Sequence, residues 1–147
     1  MPTLMGSINV IARCARLYRN DMLKKYGIHG TMDAIILRVC KQPGLSQDEI
    51  AKLVCIDKSN ASRKVAKLVE IGYLYREPSG KDRRVQLVYP TEAGLELCEE
   101  IRRILRQWSS DMTKGLPEEQ AQIMLDGLQM ILERARKYTD ERKEDEQ

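Results

Sequence analysis

The sequence predicts a mainly α-helical fold with one small β-hairpin, and three observations predict it. Apolar residues recur at the 3.6-residue helical period in six separate segments. Between residues 73 and 89 the period drops to two, as in a short strand pair. Gly, Pro, Ser and Asp clusters fall between the periodic segments, where a chain must turn. With 147 residues, 42% of them hydrophobic, the chain has enough apolar material for a core and too much for a disordered segment.

The elements follow in order. Leu4, Ile8, Ile11, Ala12, Ala15, Tyr18, Met22 and Tyr26 share one helical face, and Gly27 is placed to stop that helix. A second helix is predicted from Thr31 to Lys41, with Met32, Ile35, Ile36 and Val39 inward and Pro43-Gly44 ending it. Ser46-Gln47-Asp48-Glu49 reads as a capping box, so a short helix follows with Ile50, Leu53 and Val54 buried. Cys55-Ile56-Asp57 is a brief turn. Asp57 caps the next helix, which runs to about Ile71 with Ala61, Val65, Leu68 and Val69 as its apolar stripe. Tyr73 to Arg76 and Val85 to Tyr89 are the two strands, joined by the turn residues Glu77 to Asp82. Thr91 opens a long helix with Leu95, Cys98, Ile101, Leu105, Trp108 and Met112 along one stripe. Gly115-Leu116-Pro117 breaks it, and Pro117 with Glu118 and Glu119 suits the start of the last helix. That helix carries Ala121, Met124, Leu125, Leu128, Ile131, Leu132, Ala135 and Tyr138. The charged tail from residue 139 to 147 is expected to fray.

Composition excludes several classes of function. Cysteines 14, 40, 55 and 98 form no C-x-x-C pair and the chain has one histidine, so neither a metal site nor a disulfide framework is expected. No G-x-S-x-G, P-loop or G-x-G-x-x-G motif is present, so no enzyme and no cofactor is expected. Apolar runs such as Ala34 to Leu37 are far too short for a membrane span, and no basic-then-apolar leader opens the chain. A cytoplasmic location is the expectation.

Charge points the other way, toward a partner. Residues 57–86 hold eight basic and four acidic side chains, a local +4 in a chain whose net charge is +3. The two short helices over residues 46–71 form a helix-turn-helix, and the basic hairpin that follows makes the unit a winged helix-turn-helix. The second helix has an apolar back and a front of small polar and basic residues. Such a front suits a DNA major groove: Ser59, Asn60, Ser62 and Arg63 can reach base edges, and Lys58 and Lys67 phosphates. Lys81, Asp82, Arg83 and Arg84 at the hairpin tip complete the expected DNA-binding set. A winged module used only for protein interaction is the alternative reading. The helices at both ends are too long for a module of some 60 residues to cover, so their stripes are expected to meet a second copy in a homodimer. The organisation is therefore read as residues 1–30, an N-terminal dimerisation helix; 31–95, the winged DNA-binding module; 96–138, C-terminal dimerisation helices; and 139–147, a charged tail.

The stretch Leu45 to Leu53, then Ile56 to Arg63, Gly72 to Arg76, and above all Asp82-Arg83-Arg84 followed by Leu87-Val88 and Thr91-Glu92-Ala93-Gly94, resembles the MarR family of bacterial regulators. The family's D-x-R, strand, L-T-x-x-G pattern is kept except that Pro90 stands where Leu is usual, which removes one donor from the strand end. The resemblance implies a homodimeric transcription factor, expected to act as a repressor, that leaves a pseudo-palindromic operator when a small aromatic or phenolic effector binds. In that role Arg84 reaches into the minor groove and Asp82 braces its guanidinium. Cys14, Arg16, Tyr18, Tyr26 and His29 are candidates for an effector cleft near the first helix. Cys14-Ala15-Arg16-Leu17-Tyr18 is also similar to the C-x-x-L-Y segment of the peroxide-sensing OhrR branch, which makes oxidant sensing through Cys14 a second expectation. Cys40, Cys55 and Cys98 read as core.

Overall fold

The computed structural model describes residues 3–145. The chain runs through α1 (Leu4–Leu23), a 3-10 turn (Lys24–Tyr26), α2 (Met32–Lys41), β1 (Leu45–Ser46), α3 (Gln47–Val54), α4 (Lys58–Glu70), β2 (Leu74–Pro78), β3 (Gln86–Pro90), α5 (Glu92–Thr113) and α6 (Glu118–Asp145). It divides into two compact units, one ending at Trp108 and the other beginning at Ser109.

Local signals set the boundaries. Thr3 Oγ1 accepts from the Gly6 amide at 3.0 Å and starts α1. Gly27, at φ 74°, ends the 3-10 turn in the left-handed region that a β-carbon disfavours. The capping box of α3 forms in both directions: Ser46 Oγ accepts from the Glu49 amide, and Glu49 Oε2 accepts from the Ser46 amide at 2.7 Å. Asp57 Oδ1 accepts from the Asn60 amide at 2.8 Å and caps α4.

The first unit has one core. Leu23, Ile28, Met32, Ile35, Ile36, Val39, Leu45, Ile50, Val65, Leu68, Leu74, Val88, Leu97, Cys98, Ile101 and Ile104 pack there out of water. The sheet is antiparallel with strand order β1-β3-β2. Leu45 faces Val88 in register, and Leu74 faces Pro90. At the base of the hairpin the start of α5 is tied to the entry of β2. Thr91 Oγ1 donates to the Gly72 carbonyl at 2.6 Å and accepts from the Gly94 amide at 3.0 Å, while the Thr91 amide donates to the Tyr73 carbonyl at 3.0 Å. A β-carbon on Gly94 would overlap that Tyr73 carbonyl oxygen. In the second unit the Leu116 amide donates to the Thr113 carbonyl at 3.0 Å across the break at Gly115, and i,i+4 pairs such as Gln122 with Asp126 line α6.

Several expectations are corrected. Strand β1 is absent from the sequence reading; two residues flanked by a turn and a helix have no period to detect. The inward face of α5 is Gly94, Leu97, Cys98, Ile101 and Ile104, whereas Leu95 and Met112 are exposed. This helix carries apolar residues on two faces, and the periodic reading mixed them. In α3 the buried pair is Ile50 and Ala51, and Leu53 is exposed. Cys55 is exposed at φ 58° rather than in the core, because it ends α3 in the left-handed conformation. The tail from residue 139 is helical as far as Asp145, where α6 ends, while Glu146 and Gln147 lie outside the described residues.

Candidate nucleic-acid interface

Helix α4 presents its front because its back is anchored. Ala61, Val65 and Leu68 are fully buried against the core, one helical turn apart. That phase leaves Ser59, Ser62, Arg63 and Lys67 exposed and Asn60 half-buried. Lys58 Nζ lies 2.8 Å from Asp48 of α3, and Lys67 Nζ lies 3.1 Å from Glu70. Both pairs are at the surface, where an ion pair contributes under about 1 kcal/mol. Either lysine can therefore exchange its carboxylate for a phosphate at little cost.

The hairpin tip is closed by two backbone bonds, Ser79 N to Val85 O at 2.8 Å and Val85 N to Asp82 O at 2.9 Å. Within it Asp82 holds Arg84 three ways. Oδ1 accepts from the Arg84 amide at 3.0 Å and from Nε at 3.1 Å, and Oδ2 accepts from Nη2 at 3.1 Å. This two-toothed geometry fixes the plane of the guanidinium, and it holds the Asp82 carboxyl below the ordinary aspartate range. The Arg84 side chain nevertheless stays 90% exposed, so it is oriented without being covered. Lys81 and Arg83 are exposed beside it. The hairpin base is pinned to the helix-turn-helix: Arg76 Nη2 donates to Gln47 Oε1 at 3.2 Å. Tyr75 and Tyr89 stack across the strands at 5.4 Å. A groove of about 270 Å³ lined by Ser46, Gln47, Asp48, Arg84, Val85 and Gln86 separates the start of α3 from the hairpin.

On the other side of α4, a groove of about 230 Å³ is lined by His29, Met32, Asn60, Arg63, Lys64 and Lys67. Lys64 is an addition to the expected basic set, and its place in the α4 charge run was the available signal. His29 stands with these cations at the entrance to α2, a position that sequence spacing could not show.

The five candidates for an effector cleft do not gather in one place. Cys14 and Arg16 are exposed on α1. Tyr18 packs on Trp108 with ring centroids 4.9 Å apart. The Tyr26 carbonyl accepts from the Tyr73 hydroxyl at 3.2 Å, beside a cleft of about 280 Å³ that includes Glu96 and Glu100. His29 belongs to the α4 groove. Among the described residues no group of three or more His, Cys, Asp or Glu is placed to hold a metal ion, and no helix is long and apolar enough to cross a membrane.

Residues 34–85 match the profile of the MarR family. The HTH-type transcriptional regulator BilQ of Clostridium symbiosum is 29% identical over 115 residues, covering 78% of this chain and 80% of that protein. Among solved structures, a MarR transcriptional regulator from Methanosarcina mazei Go1 superposes with a TM-score of 0.84 at 26% identity, covering 89% of this chain and 94% of its own. A MarR family regulator from Listeria monocytogenes, solved in complex with a 26mer DNA, superposes at 0.82 with 25% identity, covering 91% and 89%. A helix-turn-helix with an exposed polar and basic second helix, flanked by a braced basic wing, defines a DNA-binding transcriptional regulator. Over residues 34–85 the chain is similar to the MarR family of these regulators, and its fold is similar to that of solved MarR-family proteins.

Proposed function

We propose that this chain reads a pseudo-palindromic DNA operator as a homodimer, and that it represses until a small aromatic or phenolic effector releases it. The observation that carries the DNA half is the Asp82–Arg84 pair: an oriented, uncovered guanidinium at a wing tip, next to an exposed Ser59, Ser62 and Arg63 front. Ser59, Asn60, Ser62 and Arg63 take the base edges. Lys58, Lys64, Lys67 and His29 take phosphates on either side of α4, and Lys81, Arg83 and Arg84 follow the minor groove.

Support for the dimer comes from each terminal region separately. On α1, Leu4, Val10, Ile11 and Leu17 are more than half exposed. On α6, Ile123, Leu125, Leu128 and Leu132 are also exposed. Apolar surface on that scale calls for a cover, and two equivalent recognition helices about 34 Å apart suit half-sites one helical turn apart.

Fluorescence anisotropy with DNA from upstream of the chain's own gene tests the reading. Binding should be tight at 50 mM salt and weaken by roughly 10³-fold or more at 200 mM, as six or more phosphate contacts release counterions. A response flat in salt, or no preference over scrambled DNA, overturns it. Release of the DNA by a phenolic carboxylate tests the effector half.

A further inference from the structure

Asp33 is the one charged residue buried among the described residues, at 4% exposure. It sits in the first turn of α2, and the cation that meets it comes from α1: Arg19 Nε lies 2.9 Å from Asp33 Oδ2. The contact is an ion pair without the alignment of a hydrogen bond. Asp33 Oδ1 accepts from the Ala34 amide at 2.8 Å. One residue further along α1, Asn20 Oδ1 accepts from the Gly30 amide at 3.0 Å. Gly30 has a left-handed backbone, φ 61°, and a β-carbon on it would come within 2.9 Å of Lys64 Nζ on α4. Gly30 therefore stands between the end of α1 and the recognition helix.

We propose that Arg19 and Asp33, with Asn20 beside them, set the direction in which α1 leaves the winged module and thereby select the spacing of the two half-sites that the protein binds. The inference rests on the homodimer proposed above. Arg19 and Asp33 are positioning residues in this role: they act through α1 and not by touching a base.

Three observations carry it. Helix α1 is attached near its C-terminal end: of its 20 residues Leu23 alone is buried, while Leu4, Val10, Ile11 and Leu17 stay more than half exposed for the second copy to grip. Next, a buried ion pair is a poor source of net stability, since replacing it by apolar residues of the same volume is often neutral, and its best-attested use is to fix one geometry. Finally, direction matters over this distance. Leu4 lies 15 residues before Arg19, which is about 22 Å along a helix. A change of about 10° in the course of α1 moves Leu4 by about 4 Å, and neighbouring nucleotides on a strand are about 3.4 Å apart. A joint that lets α1 swing that far accepts operators differing by one base pair; a joint held by a buried charge does not.

The test uses the full-length protein and the palindrome that footprinting locates in DNA upstream of the chain's own gene, with one or two base pairs inserted or removed at its centre. Fluorescence anisotropy gives the affinity for each spacing and for a duplex carrying a single half-site. We expect the parent to prefer its own spacing about 10-fold over a change of one base pair, and Asp33→Asn to narrow that preference to about 3-fold or less. Asparagine has the same shape, still accepts from the Ala34 amide, and leaves Arg19, 29% exposed, free to turn to solvent. Asn20→Ala leaves no buried charge behind and should narrow the preference in the same direction. Affinity for the single half-site should stay within about 2-fold of the parent in both variants, because the recognition helix itself is unchanged. Should Asp33→Asn unfold, seen as loss of its melting transition, Asn20→Ala decides alone. An unchanged spacing preference in the folded variants overturns the inference. So does an equal loss on the half-site and on the full operator, since the contact then only holds the module together. A parent without any spacing preference overturns the dimer reading, and the inference with it.

Discussion

Gly94→Ala tests how the wing is anchored. The added methyl would occupy the space of the Tyr73 carbonyl oxygen and lie 3.1 Å from the Tyr73 carbonyl carbon. Neither atom is the end of a flexible side chain, so the start of α5 must withdraw from β2 by about 1 Å, a backbone shift of the kind that costs typically 1–3 kcal/mol. That shift also stretches the Thr91 bonds to Gly72 and Tyr73, at 2.6 and 3.0 Å, which adds about 1 kcal/mol. The sum is about 3 kcal/mol, or a melting temperature lowered by roughly 6–12 °C in a chain of this length. Circular dichroism at 222 nm during a thermal ramp measures it. DNA affinity, read below the transition, should fall too, because the wing base moves with the strand. A variant that melts within about 2 °C of the parent would refute the reasoning: it would mean that the contact relaxes freely and that Gly94 anchors nothing.

Other outcomes follow from the same geometry. Arg84→Ala should weaken DNA binding about 10-fold, and more on A·T-rich flanks, where a narrow groove concentrates negative potential. Asp82→Ala should also weaken binding at an unchanged melting temperature, because Arg84 loses three bonds that orient it; tighter binding in anisotropy would show Asp82 to be only a repelling acid. Glu49→Ala should destabilise by about 0.3–1 kcal/mol at pH 7, the worth of an anion at a helix start. Ser46 donates to the Glu49 carboxylate and holds it below its ordinary value of 4.5. That contribution is therefore complete above pH 4.5 and is lost as the pH falls through the lowered value, so the gap between variant and parent in melts should close in acid. Leu128→Asp with Leu132→Asp should turn a species of about 34 kDa, two copies of the 16.9 kDa chain, into monomer or aggregate in sedimentation. A parent that already sediments as a single chain removes the dimer.

Much of this was legible in the sequence where one residue type has one local use. Ser46 with Glu49, Asp57 and Gly27 each mark an end or a bend by chemistry that acts within a few residues; the hairpin turn was legible too, but it falls at residues 79–85, because Glu77 and Pro78 pair with Leu87 and Gln86 and extend β2 beyond the expected Arg76. The Asp82–Arg84 brace was legible only through the D-x-R motif of the family that the sequence resembles, and the two side chains do meet. What escaped depends on partners far along the chain. Strand β1 exists because Leu45 finds Val88, and two residues alone carry no period. Leu97 and Ile104, not Leu95 and Met112, turn inward because the core selects one of two apolar faces on α5. His29 reaches the α4 groove, and the Cys40 thiol reaches the Gly94 carbonyl, through loops and helix packing that spacing does not encode.

The hydrogen-bonded tie at Thr91 gives the wing a fulcrum. Five residues of strand at about 3.3 Å each make an arm of roughly 16 Å from that tie toward the tip. A tilt of about 10° at the base carries the tip some 3 Å, enough to take a 2.9 Å hydrogen bond well past the distance at which it still counts as one. A small rotation at the start of α5 would thus displace Arg84 by about the length of a hydrogen bond, against the resistance of the Arg76–Gln47 bond and the pairing of β1 with β3. Leverage at that hinge would reach the wing tip without the unfolding of any element.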